Sequence, residues 1–183
     1  MRFRRLASVL ATVVVGTAVG VVTNAESAHA SGPWEIYTYT RGPGSDGALD
    51  GCVGVQEPVE ENSSPIEQDR CGIGNEWDML EIDPGLWQIQ FGVGAGKCMN
   101  VKGASTLNSA AVIQYTCSYS ASNNLWHLDK VTNVGGLDWY RIRNQRSDKC
   151  LNVPQASTAF DINLIQYTCG AARRNDLFTW GPA

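Results

Sequence analysis

The chain has 183 residues and a formal net charge of −4 at pH 7, from 14 basic and 18 acidic side chains. This length suits one domain with a single core. The acidic balance argues against nucleic acid as a partner, because such binding depends on neutralising phosphates. Beyond the N-terminal segment, no apolar run approaches the length needed to span a bilayer.

Residues 1–30 are predicted to be a secretory signal peptide. Three arginines within the first five residues precede an almost continuous apolar run, and Ala28-His29-Ala30 forms a small-x-small cleavage site. An uncleaved membrane anchor is the alternative, since the run is near spanning length. The cleavage site favours removal, so we expect a secreted protein of 153 residues that starts at Ser31 and has no membrane contact. The Ala- and Val-rich signal suits a bacterium.

Short β-strand patterns occur along the rest of the chain. Residues 34–39 alternate in polarity, 87–91 and 139–143 are aromatic-containing segments followed by turn residues, and 112–115 and 164–167 are short β-rich runs. Many short strands separated by Gly, Ser and Asn predict an all-β sandwich or barrel.

An internal repeat relates these strands to one another. Residues 97–126 align without a gap onto 149–178, with 14 identities in 30 positions. Pairs of cysteines 19 residues apart occur three times, which reveals a further, more divergent copy. Repeats of about 50 residues, at 31–84, 85–134 and 135–183, predict a single pseudo-threefold domain, because one repeat could not bury its own apolar face.

Six cysteines in an exported chain indicate disulfides, and six allow 15 pairings in principle. If the three repeats fold alike, the pairs are Cys52–Cys71, Cys98–Cys117 and Cys150–Cys169. Each bond would stabilise the fold by about 3 kcal/mol. A metal site is the competing interpretation, but the chain has no C-x-x-C pair, and only His127 remains after signal removal.

The repeated motifs resemble a known family. Their order is similar to that in the repeat of ricin-B-type lectins and related bacterial carbohydrate-binding modules: K-C-(L/M)-N-V, then (V/L)-I-Q-Y-T-C, then N-x-L-(W/F). The resemblance covers 31–183 and implies a β-trefoil, in which three four-stranded repeats form a short barrel with a hairpin cap. The Q-x-W signature of the family stands at 124–126 and 176–178, where its aromatic residue is structural.

The resemblance also implies one shallow sugar site in each repeat. A pyranose has an apolar C–H face and a rim of hydroxyls, so an aromatic ring flanked by amides suits it. The implied residues are Asn100, Tyr115, Asn123 and Asn124 in the second repeat, and Asn152, Tyr167, Asn175 and Asp176 in the third.

Several positions depart from the pattern of the family. Asn100 and Asn152 replace its usual Asp, which removes charge-assisted hydrogen bonds. Ile113 and Ile165 stand where many members have Gln. The first repeat has Gly54 and Asp69 in place of the acid and the aromatic, so its site is expected to be inactive.

Structural roles remain the alternative for the implied sugar residues. The asparagines could instead form hydrogen bonds with backbone groups in turns, and the tyrosines could pack in the core with only the hydroxyl group exposed to solvent. Five tryptophans are expected to pack in the core or cap: Trp34, Trp77, Trp87, Trp139 and Trp180. Tyr119 is an extra aromatic that could flank the second-repeat site.

The acidic segment 53–70 of the first repeat is expected to be a solvated loop. A cation or partner site is the alternative, which is not favoured because the segment lacks the residue spacing of a known calcium loop. No catalytic motif is present, and His127 aligns with Thr179, so we predict a non-enzyme without cofactor or metal. The sequence thus predicts a glycan-binding protein. The alternative is a sugar-independent trefoil that binds another exported protein as an adaptor or inhibitor, motivated by the acidic first repeat.

Overall fold

The computed structural model describes residues 29–42, 49–57, 61–72, 75–92, 96–170, 172 and 174–183. Most of the predicted signal peptide, residues 1–28, lies outside this part of the chain. The strands are β1 (His29–Thr38), β2 (Gly51–Val55), β3 (Ile66–Arg70), β4 (Glu76–Asp83), β5 (Leu86–Phe91), β6 (Lys97–Val101), β7 (Ala110–Thr116), β8 (Trp126–Val134), β9 (Leu137–Asn144), β10 (Cys150–Asn152), β11 (Ile162–Asn163), β12 (Ile165–Tyr167) and β13 (Phe178–Pro182). Among the described residues, no helix is long and apolar enough to cross a membrane.

Six of the strands close into an antiparallel barrel. Going around it, β1 pairs with β4, β4 with β5, β5 with β8, β8 with β9, β9 with β13, and β13 returns to β1. Each repeat therefore supplies its first and last strand to the barrel. The two ends of the folded chain, β1 and β13, are neighbours in this ring.

The remaining strands form a cap of three hairpins over one end of the barrel. The hairpins are β2–β3, β6–β7 and β10–β12, one from each repeat. Pairings of β11 with β3 and of β12 with β7 join the hairpins to one another, as does the bridge between Pro65 and Ile113. This combination of barrel and cap is a β-trefoil, which confirms the predicted fold class.

A disulfide links the two sides of each hairpin. The bonds are Cys52–Cys71, Cys98–Cys117 and Cys150–Cys169, each with a sequence separation of 19. The pairing predicted from the repeat is confirmed.

The core contains equivalent aromatic side chains from the three repeats. Trp77, Trp126 and Phe178 are fully buried at matching positions. The indole nitrogens of Trp77 and Trp126 donate to the carbonyls of Val53 and Met99, at 2.7 and 2.9 Å, and these acceptors each follow a repeat-related cysteine. The first repeat therefore has the Q-x-W element as well, at 75–77.

The predicted packing of the other tryptophans is correct in part. Trp139 is fully buried, as Trp77 is. Trp34, Trp87 and Trp180 are half-buried, and Trp180 packs on Tyr140 with 4.3 Å between the ring centroids.

Three equivalent glutamines tie each hairpin to a neighbouring repeat. Gln68, Gln114 and Gln166 are completely buried, three positions before the second cysteine of each repeat. Their side-chain nitrogens donate to loop carbonyls as follows: Gln68 to Ser157 and Ala159, Gln114 to Glu61, and Gln166 to Ser105 and Leu107. Because a buried carbonyl without a partner is costly, the Gln of the repeated motif has a structural role.

Candidate functional site

A cavity of about 380 Å³ lies beside the third hairpin of the cap. Three of the four residues predicted to bind sugar in the third repeat, Asn152, Tyr167 and Asn175, line this cavity. The other lining residues are Ser109, Pro154, Gln155 and Ile165. Since Ser109 belongs to the second repeat, the cavity lies between two repeats. We call it the third-repeat site.

An asparagine pair forms the polar wall of this site. Asn175 Nδ2 donates to Asn152 Oδ1 at 2.9 Å and to the carbonyl of Val153 at 2.6 Å. The carbonyl acceptor fixes the orientation of the Asn175 amide, and the pair is held rigidly because both side chains are more than nine-tenths buried. The Nδ2 donor of Asn152 and the Oδ1 acceptor of Asn175 take no part in the hydrogen bond between the two side chains.

Tyr167 forms the apolar wall. Its side chain is 43% exposed, although it stands on β12 directly opposite the disulfide-bonded Cys150. A half-exposed ring on a cross-linked hairpin is a fixed surface that loses little conformational entropy when a ligand binds. It does not pack in the core, which was the structural alternative for this residue.

The second repeat has the same arrangement. Asn123 Nδ2 donates to Asn100 Oδ1 at 2.8 Å and to the carbonyl of Val101 at 3.0 Å. Tyr115 is 44% exposed and lies opposite Cys98. We call Asn100, Tyr115 and Asn123 the second-repeat site.

Two of the predicted residues do not reach either site surface. Asn124 and Asp176 are fully buried. Asp176 Oδ2 accepts hydrogen bonds from Arg141 Nε at 2.8 Å and from the backbone of Gly170 at 2.7 Å, so it is half of an interior ion pair. In the 3₁₀ turn Ser122–Asn124, Asn123 is partly exposed and bonds to Asn100, whereas the neighbouring Asn124 is fully buried.

The repeat pattern did not indicate the residues that adjoin the amide pair from neighbouring loops. Gln155 lines the third-repeat site with φ of +55°, a backbone region that few residues other than Gly adopt. Its counterpart in the second repeat is Gly103, with φ of +61°. Lys102 likewise replaces Pro154. The two sites therefore share their amides and tyrosine and differ at this edge, a difference that the 52-residue alignment could have revealed.

Tyr119 lies elsewhere. It is 70% exposed and lines a separate cavity of about 620 Å³ together with residues of the β4–β5 hairpin, among them Glu81 and Asp83. This cavity is the larger, but the asparagine pair and its tyrosine recur in two repeats with matching geometry. We therefore take the repeated arrangement as the candidate site.

His127 is hydrogen-bonded within the scaffold. Its Nδ1 lies 3.0 Å from the carbonyl of Gly85, and its Nε2 contacts the side-chain oxygen of Gln145. Both ring nitrogens thus have partners within the protein.

Comparison with known families gives one sequence match. Residues 73–167 match the family described as "Ricin-type beta-trefoil lectin domain-like". The match spans parts of all three repeats, including the whole of the second-repeat site and part of the third-repeat site. No curated protein matches the sequence of the chain significantly.

Solved structures with the same fold include lectins, a designed protein and an enzyme. The designed threefold symmetric protein ThreeFoil superposes with a TM-score of 0.70 at 23% identity, covering 84% of this chain and 100% of that one. SeviL bound to asialo-GM1 saccharide gives 0.56 at 16% identity, covering 83% and 98%. An exo-β-1,3-galactanase of Clostridium thermocellum gives 0.69 at 20% identity, but the match covers 84% of this chain and only 30% of the enzyme.

Proposed function

Since the chain belongs to the ricin-type β-trefoil lectin domain-like family, whose match covers more than half of it, we propose that it binds glycans through the second- and third-repeat sites. One observation carries the assignment to these sites. The same rigid asparagine pair stands beside an exposed tyrosine twice, with pair distances of 2.8 and 2.9 Å and tyrosine exposures of 44% and 43%.

Each part of the site has a separate role in holding a sugar. The tyrosine ring packs against the apolar C–H face of a pyranose. The Nδ2 group of Asn152 donates to one ring hydroxyl, and Oδ1 of Asn175 accepts from another. Asn100 and Asn123 do the same in the second repeat.

Affinity for a single sugar is modest, because the sites are shallow and their amides are neutral. A dissociation constant between millimolar and high micromolar corresponds to about 4–6 kcal/mol per site. Two sites on one rigid body gain avidity on a polymeric glycan, provided that the spacing of the sugars lets both sites bind at once.

The proposed setting is extracellular, and the proposed activity is binding without turnover. The apolar N-terminal segment and the three disulfides support export, because such bonds persist in oxidising compartments. The hydrogen-bonded state of His127 and the neutral amides of both sites support a non-catalytic role.

Retention on insoluble polysaccharides and on a glycan array, with release by free sugar, tests this function. The double variant Tyr115→Ala/Tyr167→Ala is expected to reduce retention at least tenfold, while its melting temperature stays close to wild type because both rings are half-exposed. Tyr119→Ala is the matched control, since Tyr119 is exposed but lies outside both sites. Undiminished retention of the double variant would refute the site assignment.

A further inference from the structure

The first repeat carries acidic side chains where the other repeats carry their sugar site. Glu67 and Asp69 stand four and two residues before the second cysteine, as Ile165 and Tyr167 do in the third repeat. The strand register supports this equivalence, because Glu67 lies opposite Gly54 just as Ile165 lies opposite Asn152. The position of the sugar tyrosine is therefore taken by a carboxylate.

A third carboxylate comes from the neighbouring repeat. Asp161 immediately precedes β11, which pairs with β3 through Asn163 and Glu67. Its counterpart is Ser109, which lines the third-repeat site, and both have left-handed backbones with φ of +58° and +65°. One carboxylate oxygen from each of Glu67, Asp69 and Asp161 lies within 4.8 Å of the other two. We call these three residues the acidic cluster.

Glu67 is the buried member of the cluster. Its side chain is only 6% exposed, and Oε2 is buried without a hydrogen-bond partner among the described residues. Burial, reinforced by the charges of Asp69 and Asp161, raises the pKa of Glu67 to about 6. The expectation of a solvated acidic loop is therefore wrong for Glu67, although Glu57 and Glu61 are exposed.

The nearby arginines form no ion pair with this cluster in the described part of the chain. The guanidinium groups of Arg41 and Arg70 lie over the ring of Phe160, at 4.1 and 4.7 Å from its centroid. The backbone N–H of Arg70 donates to Asp69 Oδ1 at 2.6 Å. None of the ion pairs found in the described part of the chain includes a carboxylate of the cluster.

We propose that Glu67, Asp69 and Asp161 bind a Ca²⁺ ion at the first-repeat counterpart of the sugar sites. Calcium prefers carboxylate oxygens at about 2.3–2.6 Å, so its ligands lie within about 5 Å of each other. A spacing of at most 4.8 Å lets all three oxygens contact one ion. Mg²⁺ usually keeps several waters and binds through one or two carboxylates, so a set of three carboxylates favours Ca²⁺. Water completes the coordination, and an ion would compensate the buried negative charge of Glu67.

Isothermal titration of the disulfide-bonded protein with CaCl₂, without any glycan, tests the proposal. We expect one ion per chain, with a dissociation constant of about 10⁻⁴–10⁻³ M as in other extracellular calcium modules, and at least tenfold weaker binding of MgCl₂. A rise in melting temperature on adding 10 mM CaCl₂ should accompany binding. No heat and no shift at this concentration, or equal binding of both ions, would overturn the assignment.

Three variants locate the ion. Asp161→Asn removes a charge from an exposed position, and Asn tolerates its left-handed backbone, so the fold is preserved and Ca²⁺ affinity should fall at least tenfold. Glu67→Gln should have the same effect. Glu61→Gln, the control, makes the same charge change at an exposed carboxylate of the same repeat and should bind as wild type. Wild-type affinity in Asp161→Asn would refute the site. Because no sugar is present, the result is independent of glycan binding.

Discussion

Replacing Asp176 by Asn separates a structural role from a sugar-binding role at a residue where the sequence pattern indicated sugar binding. The substitution keeps the shape of the side chain and removes its charge. It thereby breaks the ion pair with Arg141, in which Asp176 is fully buried and the Arg141 side chain is 28% exposed. The backbone hydrogen bond from Gly170 can be retained by the amide oxygen.

The size of the effect follows from these exposures. Removing one partner of a buried ion pair costs about 3–5 kcal/mol, because the other charge is left without compensation. Water can reach part of the Arg141 guanidinium, so we expect a smaller loss than this, about 2–3 kcal/mol. For a domain of this size, that corresponds to a melting temperature lowered by about 4–12 °C.

Two assays on the same preparation test the reasoning. Urea unfolding should show the lost free energy of unfolding, and retention on the polysaccharide should remain as in wild type under conditions where the variant is folded. Tyr167→Ala should give the opposite pattern. An Asp176→Asn protein with wild-type stability and abolished retention would show that Asp176 contacts sugar and that the scaffold assignment is wrong.

Two further predictions concern positions that differ between repeats. Gln155→Gly should raise the free energy of unfolding by up to about 1 kcal/mol, because glycine adopts the left-handed backbone without strain. In a Tyr115→Ala background, in which the second-repeat site is disabled, the same substitution should also weaken glycan binding. Unchanged binding would exclude Gln155 from the third-repeat site. Without Ca²⁺, Glu67→Gln should stabilise the protein at pH 7 by about 2 kcal/mol. The pKa of Glu67 is raised from 4.5 to about 6 in the folded state, so ionised Glu67 destabilises the wild type as pH rises through this range and does not do so below it. Urea unfolding at pH 4 and pH 7.5 measures the difference in free energy of unfolding between variant and wild type. The same difference at both pH values would contradict the prediction.

The sequence predicted features that depend on a strict repeat. The disulfides, the hairpins and the exposed tyrosines follow from a spacing that occurs three times, or twice for the tyrosines, because equivalent residues in a pseudo-threefold fold have equivalent surroundings. The Q-x-W element of the first repeat was missed for a related reason. Cys71 is followed by Trp77 after six positions, whereas Cys117 is followed by Trp126 after nine, so a gap-free alignment loses it.

Features that depend on contacts between repeats could not be predicted in this way. A repeat alignment does not tell which side of a 3₁₀ turn faces inward, so Asn123 and Asn124 looked alike. The acidic cluster joins Asp161 of the third repeat to two residues of the first. No linear spacing rule for calcium loops applies to such a set. The same holds for Ser109, which reaches the third-repeat site from the second repeat.

The ring of buried glutamines separates the requirements of folding from those of ligand recognition. Gln68, Gln114 and Gln166 each fasten one hairpin to a neighbouring repeat, and the glutamine recurs although the residues beside it have diverged. Tyr167 and Asp69 occupy equivalent places next to these glutamines, one with its ring half in water and the other in a carboxylate cluster. Under the proposed function, one repeat can therefore change what it binds while the glutamines keep the three hairpins of the cap fastened to one another.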